Sequence, residues 1–393
     1  MRYGGLGINS CGRAAPAAYL GGVVSTARFL KIMWPLLDAV AFWPEAAAIY
    51  EATRAADPAA PIAGFEDLAD LVAGRAGKTV QIAVTRLAQI RESTAALLEI
   101  EKEDPIRAAN LVACKGRASA HLYASPRMLA LQLTDDELAS DVCRILSLPQ
   151  TTHGLAADCR LCGARESSAT GEHAFLCVHD TSRQLQATDA HAALGAAFQA
   201  SKSLKLAGAP MRLLVRPYEP TFAEAEQAVG IKLVDPAADS QRRFDVGVTL
   251  PAGGRVFIDC MRTATITSDN NHIQKSCRVQ GLAAEAGEKV KTYNYQKAIS
   301  NLADKAHHIL FAVIETNGAL SKNFNRFVQR LAKLEYPGDP VTDPQGKYDV
   351  DGLRSRYTAQ LRQRIACGLV RGNHKTYAAW RVACWPPAHA EIA

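Results

Sequence analysis

The stretch RFDVGVTLPAGGRVFIDC, residues 243–260, sets Asp245 and Asp259 on either side of a turn at Pro251-Ala252-Gly253. Pairing its arms antiparallel brings Val246 against Ile258 and Val248 against Val256 on one apolar face. The other face then carries Asp245 against Asp259, Gly247 against Phe257 and Thr249 against Arg255, the period-2 alternation of a half-buried hairpin. Directly opposed residues have Cβ atoms roughly 5 Å apart, where like charges destabilise the sheet by up to about 1 kcal/mol. A positive charge between the carboxylates reverses that sign. Mg2+ is commonly held by one or two carboxylates, waters and a phosphate oxygen, so the pattern points to phosphodiester chemistry. The competing reading is a surface hairpin whose aspartates face water.

A second constellation is Cys159-x2-Cys162-x10-His173-x3-Cys177. Two cysteines two apart bite a metal from one tight turn, and a His and a Cys four apart present both donors from one helical turn. Together they make a tetrahedral set for structural Zn2+, which replaces the core that so short a segment cannot build. Against it stand scattered buried thiols beside a surface histidine. His179 and His191 are weaker ligand candidates, His191 belonging to a helix flank.

These residues need elements to position them. Residues 1–150 read as a helical, alanine-rich region. Within it LTDDELASDVCRILSL opens with Thr134 and Glu137 in capping-box spacing and puts Leu138, Val142 and Ile145 on one stripe. Asp135 and Asp136 there complement the helix dipole rather than catalyse. Residues 151–200 hold the metal knuckle and a following helix. Over residues 201–335 the pattern turns to short strands and helices: HHILFAVIETNG reads as a buried central strand, and the helical GLAAEAGEKVKTYNYQKAISNLADKA before it makes an α/β unit packed on the hairpin. Residues 336–393 read as a loop and basic helices, including LRSRYTAQLRQRIACGLVRG. The expected fold class is α+β: a helical region, a zinc knuckle and an α/β domain with a mixed sheet.

With 48% hydrophobic and 21% charged residues in 393, the composition is that of a soluble globular protein of two or three domains. The net charge of +6 is compatible with a nucleic-acid surface. Ten cysteines without a secretory pattern in the first thirty residues imply a reducing compartment, cytoplasmic or nuclear. Apolar runs broken by Arg28, Lys31 and Asp38 leave no eighteen-residue membrane span.

In order along the chain, these landmarks resemble the C-terminal part of non-LTR (LINE-type) retrotransposon reverse transcriptases, in the lineage carrying a restriction-endonuclease-like domain. MRYGGLGINSCGRAAPAAYLGGV is similar to the segment just beyond the polymerase palm, LTDDELASDVCRILSLP to the helix before the zinc site, and Cys159 through Cys177 to the CCHC knuckle. RRFDVGV with VFIDCMRTATI resembles the PD-(D/E)XK nuclease core, AAEAGEKVKTY its helix and LFAVIETNGAL its following strand. The resemblance implies catalytic Mg2+ on Asp245 and Asp259, with Glu219 of RPYEPTF assisting, and structural Zn2+ in the knuckle. It also implies DNA and the element's RNA as partners, and a nick in one DNA strand that primes reverse transcription.

The chain departs from the pattern at Phe244, where the family has proline or alanine, and at Cys260-Met261, where it has Val-Thr. No lysine stands two residues after Asp259. In this lineage it has moved to the next helix, which makes Lys289 the expected catalytic lysine and Lys291 the next, with Lys297 and Lys305 left open. No palm segment with a strand-borne aspartate pair precedes these motifs, so the polypeptide is not expected to polymerise DNA. The knuckle and the arginines of the 353–371 helix are expected to grip phosphates. The alternatives are a nucleic-acid-binding remnant without cleavage and a decayed reading frame without activity.

Overall fold

The hairpin adopts the register its alternation dictates. Strands β3 (Val246–Thr249) and β4 (Arg255–Thr263) pair antiparallel with Val246 opposite Ile258, Gly247 opposite Phe257, Val248 opposite Val256 and Thr249 opposite Arg255. With β1 (Pro217–Tyr218) and β6 (Ile309–Glu315) they form a mixed sheet in the order β1-β3-β4-β6, in which β6 runs parallel to β4 and sets Phe311 beside Asp259. Strands β2 (Lys232–Leu233) and β5 (Ile299–Ser300) pair separately. This computed structural model describes residues 11–56, 64–74, 77–124, 131–148, 150, 159–163, 172–177, 194–195, 198, 217–250, 254–266, 269–305, 308–337 and 350–384. His179, His191 and the turn at 251–253 lie outside them.

The fold is α+β and divides into two compact units, Arg2–Glu99 and Ile100–Ala393. The first unit contains α1 (Cys11–Met33), α2 (Ala39–Phe42), α3 (Pro44–Ala56), α4 (Leu68–Gly74) and most of α5 (Gly77–Glu103). Its core gathers Leu20, Val24, Tyr50, Leu71 and Val80. The division falls inside α5, so the helical region expected over 1–150 belongs partly to each unit.

In the second unit α6 (Pro105–Ala113), a 3-10 segment (Gly116–Tyr123), α7 (Asp135–Ile145) and α8 (His173–Leu176) precede the sheet. Helices α9 (Phe222–Val229), α10 (Pro236–Asp239), α11 (Asn270–Ser276), α12 (Leu282–Ala298), α13 (Leu302–Lys305), α14 (Lys322–Glu335) and α15 (Val350–Cys384) complete it. The capping box of α7 forms: the Thr134 hydroxyl accepts from Glu137 N, and the Glu137 carboxylate accepts from Thr134 N. Its buried face, however, carries Asp141, Arg144 and Ile145, while Leu138 is exposed. Asp141 is ion-paired to Arg144 and, at 2.6 Å, to His121, so a charged cluster shares the inside of the helix with Ile145, the member of the expected apolar stripe that is buried.

Both faces of the sheet are covered. Val246, Val248, Val256 and Ile258 join Ala312, Phe324, Val328, Leu331, Leu361 and Ile365 in a core under α14 and α15. On the other face Phe257, Phe311 and Val313 pack with Ala284 of α12 and with Phe222 and Phe244. The hairpin is thus covered on both faces over Val246–Val248 and Val256–Asp259, while Arg255 beside the turn is exposed. Among the described residues β6 is an edge strand, not the central one its apolar run suggested; helices on both sides give it that composition.

Helix α15 differs most from expectation. Most of its arginines within 353–371 are taken up by the fold: Arg362 and Arg364 are buried, Arg354 donates to the Tyr336 carbonyl and Arg371 to that of Gln132, while Arg356 is exposed. Long stems let such residues lie in a core while their heads reach polar partners.

The loop after β6 is held by close approach. Gly318 has φ +87°, a region L residues avoid, and a Cβ there would collide with the Ala118 carbonyl oxygen. Gly318→Ala is therefore expected to destabilise the protein by about 3 kcal/mol, read as a lower urea midpoint with unchanged m value.

Candidate active site and metal centre

Asp245 stands one residue before β3, where the ladder stops. Phe257 N donates to His308 O, towards β6, so the even-numbered N–H groups of β4 point towards β3. Beyond the last pair, Cys260 N donates to Asp245 Oδ2 at 2.6 Å, and the side chain thereby satisfies a strand donor that no backbone carbonyl reaches. Asp259, on the face of β4 that meets α12, is 7% exposed. Its Oδ2 accepts from Lys291 Nζ at 2.5 Å, and the Tyr295 hydroxyl also bonds it. The positive charge that two facing carboxylates require is thus supplied within the chain by Lys291.

The helix phase selects this lysine. Ala284, Gly287, Lys291, Tyr295 and Ala298 recur at three and four residues, one face of a helix, and Gly287 lets that face approach the sheet: a Cβ there would stand 2.9 Å from Val313 Cγ1. Lys289 lies about 200° round the helix from Lys291 and is exposed, so the structure sets Lys291, not Lys289, against Asp259. The tyrosine beside Asp259 is Tyr295; Tyr293 is 59% exposed and stacks against Lys297, whose Nζ lies 4.4 Å from its ring centroid. Lys305 ends the short α13. Glu219 follows β1 with an exposed side chain, and its carbonyl accepts from Arg243 Nη1 at 3.4 Å.

Burial raises the Asp259 carboxyl. Lys291 and Tyr295 pull it back, the charge of Asp245 pushes it up, and it settles at about 6. At the end of β6 the buried Glu315 accepts from Ala283 N and Ala284 N at 2.9 and 3.1 Å, fixing the first turn of the helix that carries Lys291. Burial lifts its carboxyl to about 7 against those bonds. Phe244 fills an aromatic cluster, its ring 4.6 Å from Phe222, 5.5 Å from Phe257 and 5.6 Å from Tyr295.

The second centre brings together all four expected donors. One ligand atom each from Cys159, Cys162, His173 and Cys177 falls within 4.8 Å of every other. Cys159 Sγ and Cys177 Sγ are 3.9 Å apart, close to the roughly 3.8 Å edge of a tetrahedron with 2.3 Å Zn–S arms. Gly163, with φ +70°, turns the first pair, its N–H donating to the Cys159 carbonyl at 2.7 Å. The single turn of α8 presents His173 and Cys177, with Cys177 N donating to His173 O at 2.8 Å. Burial would raise the Cys159 thiol, but hydrogen bonds from the N–H groups of Cys162 and Leu161 and from the Cys162 side chain bring it down to about 6. Donors directed at a sulfur favour the thiolate that a metal needs.

Sequence reasoning missed what surrounds this centre. Trp380, Tyr377 and Cys384 of α15 pack on it, and Cys384 Sγ lies 3.8 Å from Cys159 Sγ. Glu172, next to His173, is buried and accepts from Asn110 Nδ2 at 3.1 Å. Asn110 Oδ1 in turn accepts from Asn317 Nδ2 at 2.8 Å, two residues beyond Glu315. A continuous polar chain therefore runs from the knuckle to the strand end that holds α12.

Two outcomes follow. Purified protein is expected to hold one zinc per chain by metal analysis, to lose it in Cys162→Ala and to keep it in Cys384→Ala. Protons at Asp259 and Glu315 are retained in the folded chain up to about pH 6 and 7, whereas the unfolded chain releases them near 4. Unfolding thus releases protons in between, and stability falls as pH rises from about 4.5 to 7, by at most roughly 3 kcal/mol for each group. Asp259→Asn is expected to flatten the lower part of that slope in denaturant titrations at fixed ionic strength.

No family model, no curated protein and no solved structure matches this chain, so what the two centres can do is argued from their residues.

Proposed function

We propose that this chain is a divalent-cation-dependent DNA endonuclease of the restriction-endonuclease-like, PD-(D/E)XK type, the C-terminal portion of a retrotransposon protein that nicks one strand so that its 3′ hydroxyl can prime reverse transcription. One observation carries the reading: at the open end of a β-hairpin the charge of Asp245 acts on the Asp259 carboxylate, with Lys291 Nζ at 2.5 Å from Asp259. The surrounding elements support it, because an antiparallel hairpin, a helix and a strand parallel to the second arm follow in that order.

On this reading Asp245 and Asp259 would hold Mg2+. Bound there, the ion supplies positive charge for a scissile phosphate and acidifies a water for attack. Lys291 steadies the nucleophile or the charge developing on phosphorus, and Tyr295 holds the Asp259 carboxylate in place by its hydrogen bond. Ionised Asp259 is the metal-binding form, so the acid limb of activity is set by a carboxyl near pH 6 in the free protein.

The test is nicking of supercoiled plasmid in Mg2+. Asp245→Ala, Asp259→Ala and Lys291→Ala are expected to lose roughly 100-fold or more in rate, while Lys289→Ala retains it. Nicking that survives both aspartate substitutions would overturn the proposal; salt-dependent DNA binding with no nicking in the wild type would leave a nucleic-acid-binding remnant in its place.

A further inference from the structure

Helix α15, the expected basic grip, is spent on the core, which moves the question of where a polyanion would lie. Helix α14 answers it. Its inner face buries Phe324, Phe327, Val328, Leu331, Ala332 and Glu335, and its outer face carries Lys322, Arg326, Arg330 and Lys333, all exposed. Spacings of three and four put these on one stripe, at about 6 Å of rise for each four residues. With about 3.4 Å of rise per nucleotide along a strand, neighbouring cations of the stripe stand roughly two phosphates apart. None of the four is paired with a carboxylate among the described residues; Arg326 Nη1 reaches only the Asn323 side chain, at 3.5 Å. The carboxylate on this helix, Glu335, faces inward.

The stripe borders a cleft of about 520 Å3 that opens where the 309–311 end of β6 meets α12 and α14. Arg326, Arg330 and Asn323 line one wall, and Thr292 and Gln296 of α12 line the other, with Phe311 between them. Glu288, the carboxylate on that lining, accepts from Asn323 Nδ2 at 2.6 Å. Thr292 follows Lys291 in the chain, and Phe311 is the ladder neighbour of Asp259. The cleft therefore adjoins the aspartate site across the edge of the sheet.

We infer that the α14 stripe of Lys322, Arg326, Arg330 and Lys333 is a docking surface for the phosphate backbone of duplex DNA, contacted without reading its sequence. This rests on the nuclease reading for its choice of polyanion. Lysines and arginines in line, without an acid among them, fit phosphates rather than an acidic peptide, whose carboxylates come at irregular spacing beside apolar anchors. Backbone contacts of this kind release counterions, so each phosphate neutralised adds about 0.9 to the slope of log K against log salt.

The experiment is fluorescence anisotropy with a labelled 30-bp duplex across a salt series, using full-length wild type, Arg326→Ala/Arg330→Ala and a control pair, Lys232→Ala/Lys275→Ala, with circular dichroism to verify folding. Weakening of 10-fold or more and a slope shallower by roughly 2 are expected for the stripe variant, with little change in the control. Equal affinity and slope in wild type and stripe variant overturn the inference and leave the nuclease reading intact if wild type still nicks. Equal weakening by the control pair, or a preference of the stripe for single-stranded RNA, overturns the assignment. A wild type that neither binds nor nicks the duplex removes both proposals together.

Discussion

The Asp259–Lys291 contact organises the second unit, because burying the Asp259 carboxylate beside the charge of Asp245 is possible only where a cation compensates it. Two buried aspartates in this molecule show what compensation does. Asp141, with Arg144 and His121 both on it, is held down at about 2 despite complete burial. Asp259, with one ammonium, one phenol and a second carboxylate beside it, stands at about 6. The first is a settled ion-pair cluster that joins α7 to the 3-10 segment. In the second, burial together with the repulsion from Asp245 outweighs the attraction of Lys291 and Tyr295 and disfavours the charged form. An arrangement selected for stability alone would look like Asp141; an aspartate left short of positive charge is one that a further cation stabilises.

That shortage constrains the rest. Lys291 reaches Asp259 only if α12 lies close to β4 and β6, and three features secure the approach: Gly287 against Val313, Tyr295 in the aromatic cluster, and Glu315 on the first turn. Glu315 itself depends on the strand end, which Asn317 ties to Asn110 and so to Glu172 beside the metal knuckle. Each group in this chain is buried and bonded, so breaking one link leaves the next unsatisfied at a cost of about 1–3 kcal/mol. The knuckle is thus built into the scaffold that sets the lysine: Trp380 and Cys384 close it from α15, the helix that also covers the sheet.

The hairpin, its register and the metal knuckle were legible because their signals are local: strict alternation fixes which residues face each other, and four donors at knuckle spacing fix a centre. The phase of α12 was also readable, since Ala284, Gly287, Lys291, Tyr295 and Ala298 mark an inward face of small and anchoring residues. A motif-based choice of the nearest lysine passed over it. What could not be read depends on the partners of a face. The arginines of α15 have the same composition on a surface as in a core, and only the intervening Leu361, Ile365 and Leu369 hinted at burial. The inward Asp141 and Arg144 contradict the apolar stripe of their own helix, because a buried ion pair depends on His121, distant in sequence. Likewise, an apolar strand covered by helices on both faces reads alike at the centre and the edge of a sheet.

The departures at Phe244, Cys260 and Met261 touch packing more than chemistry. Phe244 packs against the rings of Phe222, Phe257 and Tyr295, so its bulk is absorbed by the cluster that also orients Tyr295. Cys260 packs with the core of β4 and offers Asp245 its backbone N–H at 2.6 Å, which any residue but proline supplies, together with a hydrogen bond from its thiol. Met261 is the telling position: two residues after Asp259 and on the same face, it stands where a strand-borne lysine would point. Helix α12 lies over that place, since a Cβ on Gly287 would be 3.5 Å from the Met261 sulfur, and one helical turn further on Lys291 reaches the carboxylate. A methionine fills the space under the helix, and the ammonium arrives from above instead of from the strand. Electrostatics at Asp259 depends on where the charge ends and not on which backbone carries it, so moving the lysine from strand to helix conserves the field at the carboxylate while changing the sequence pattern that would advertise it.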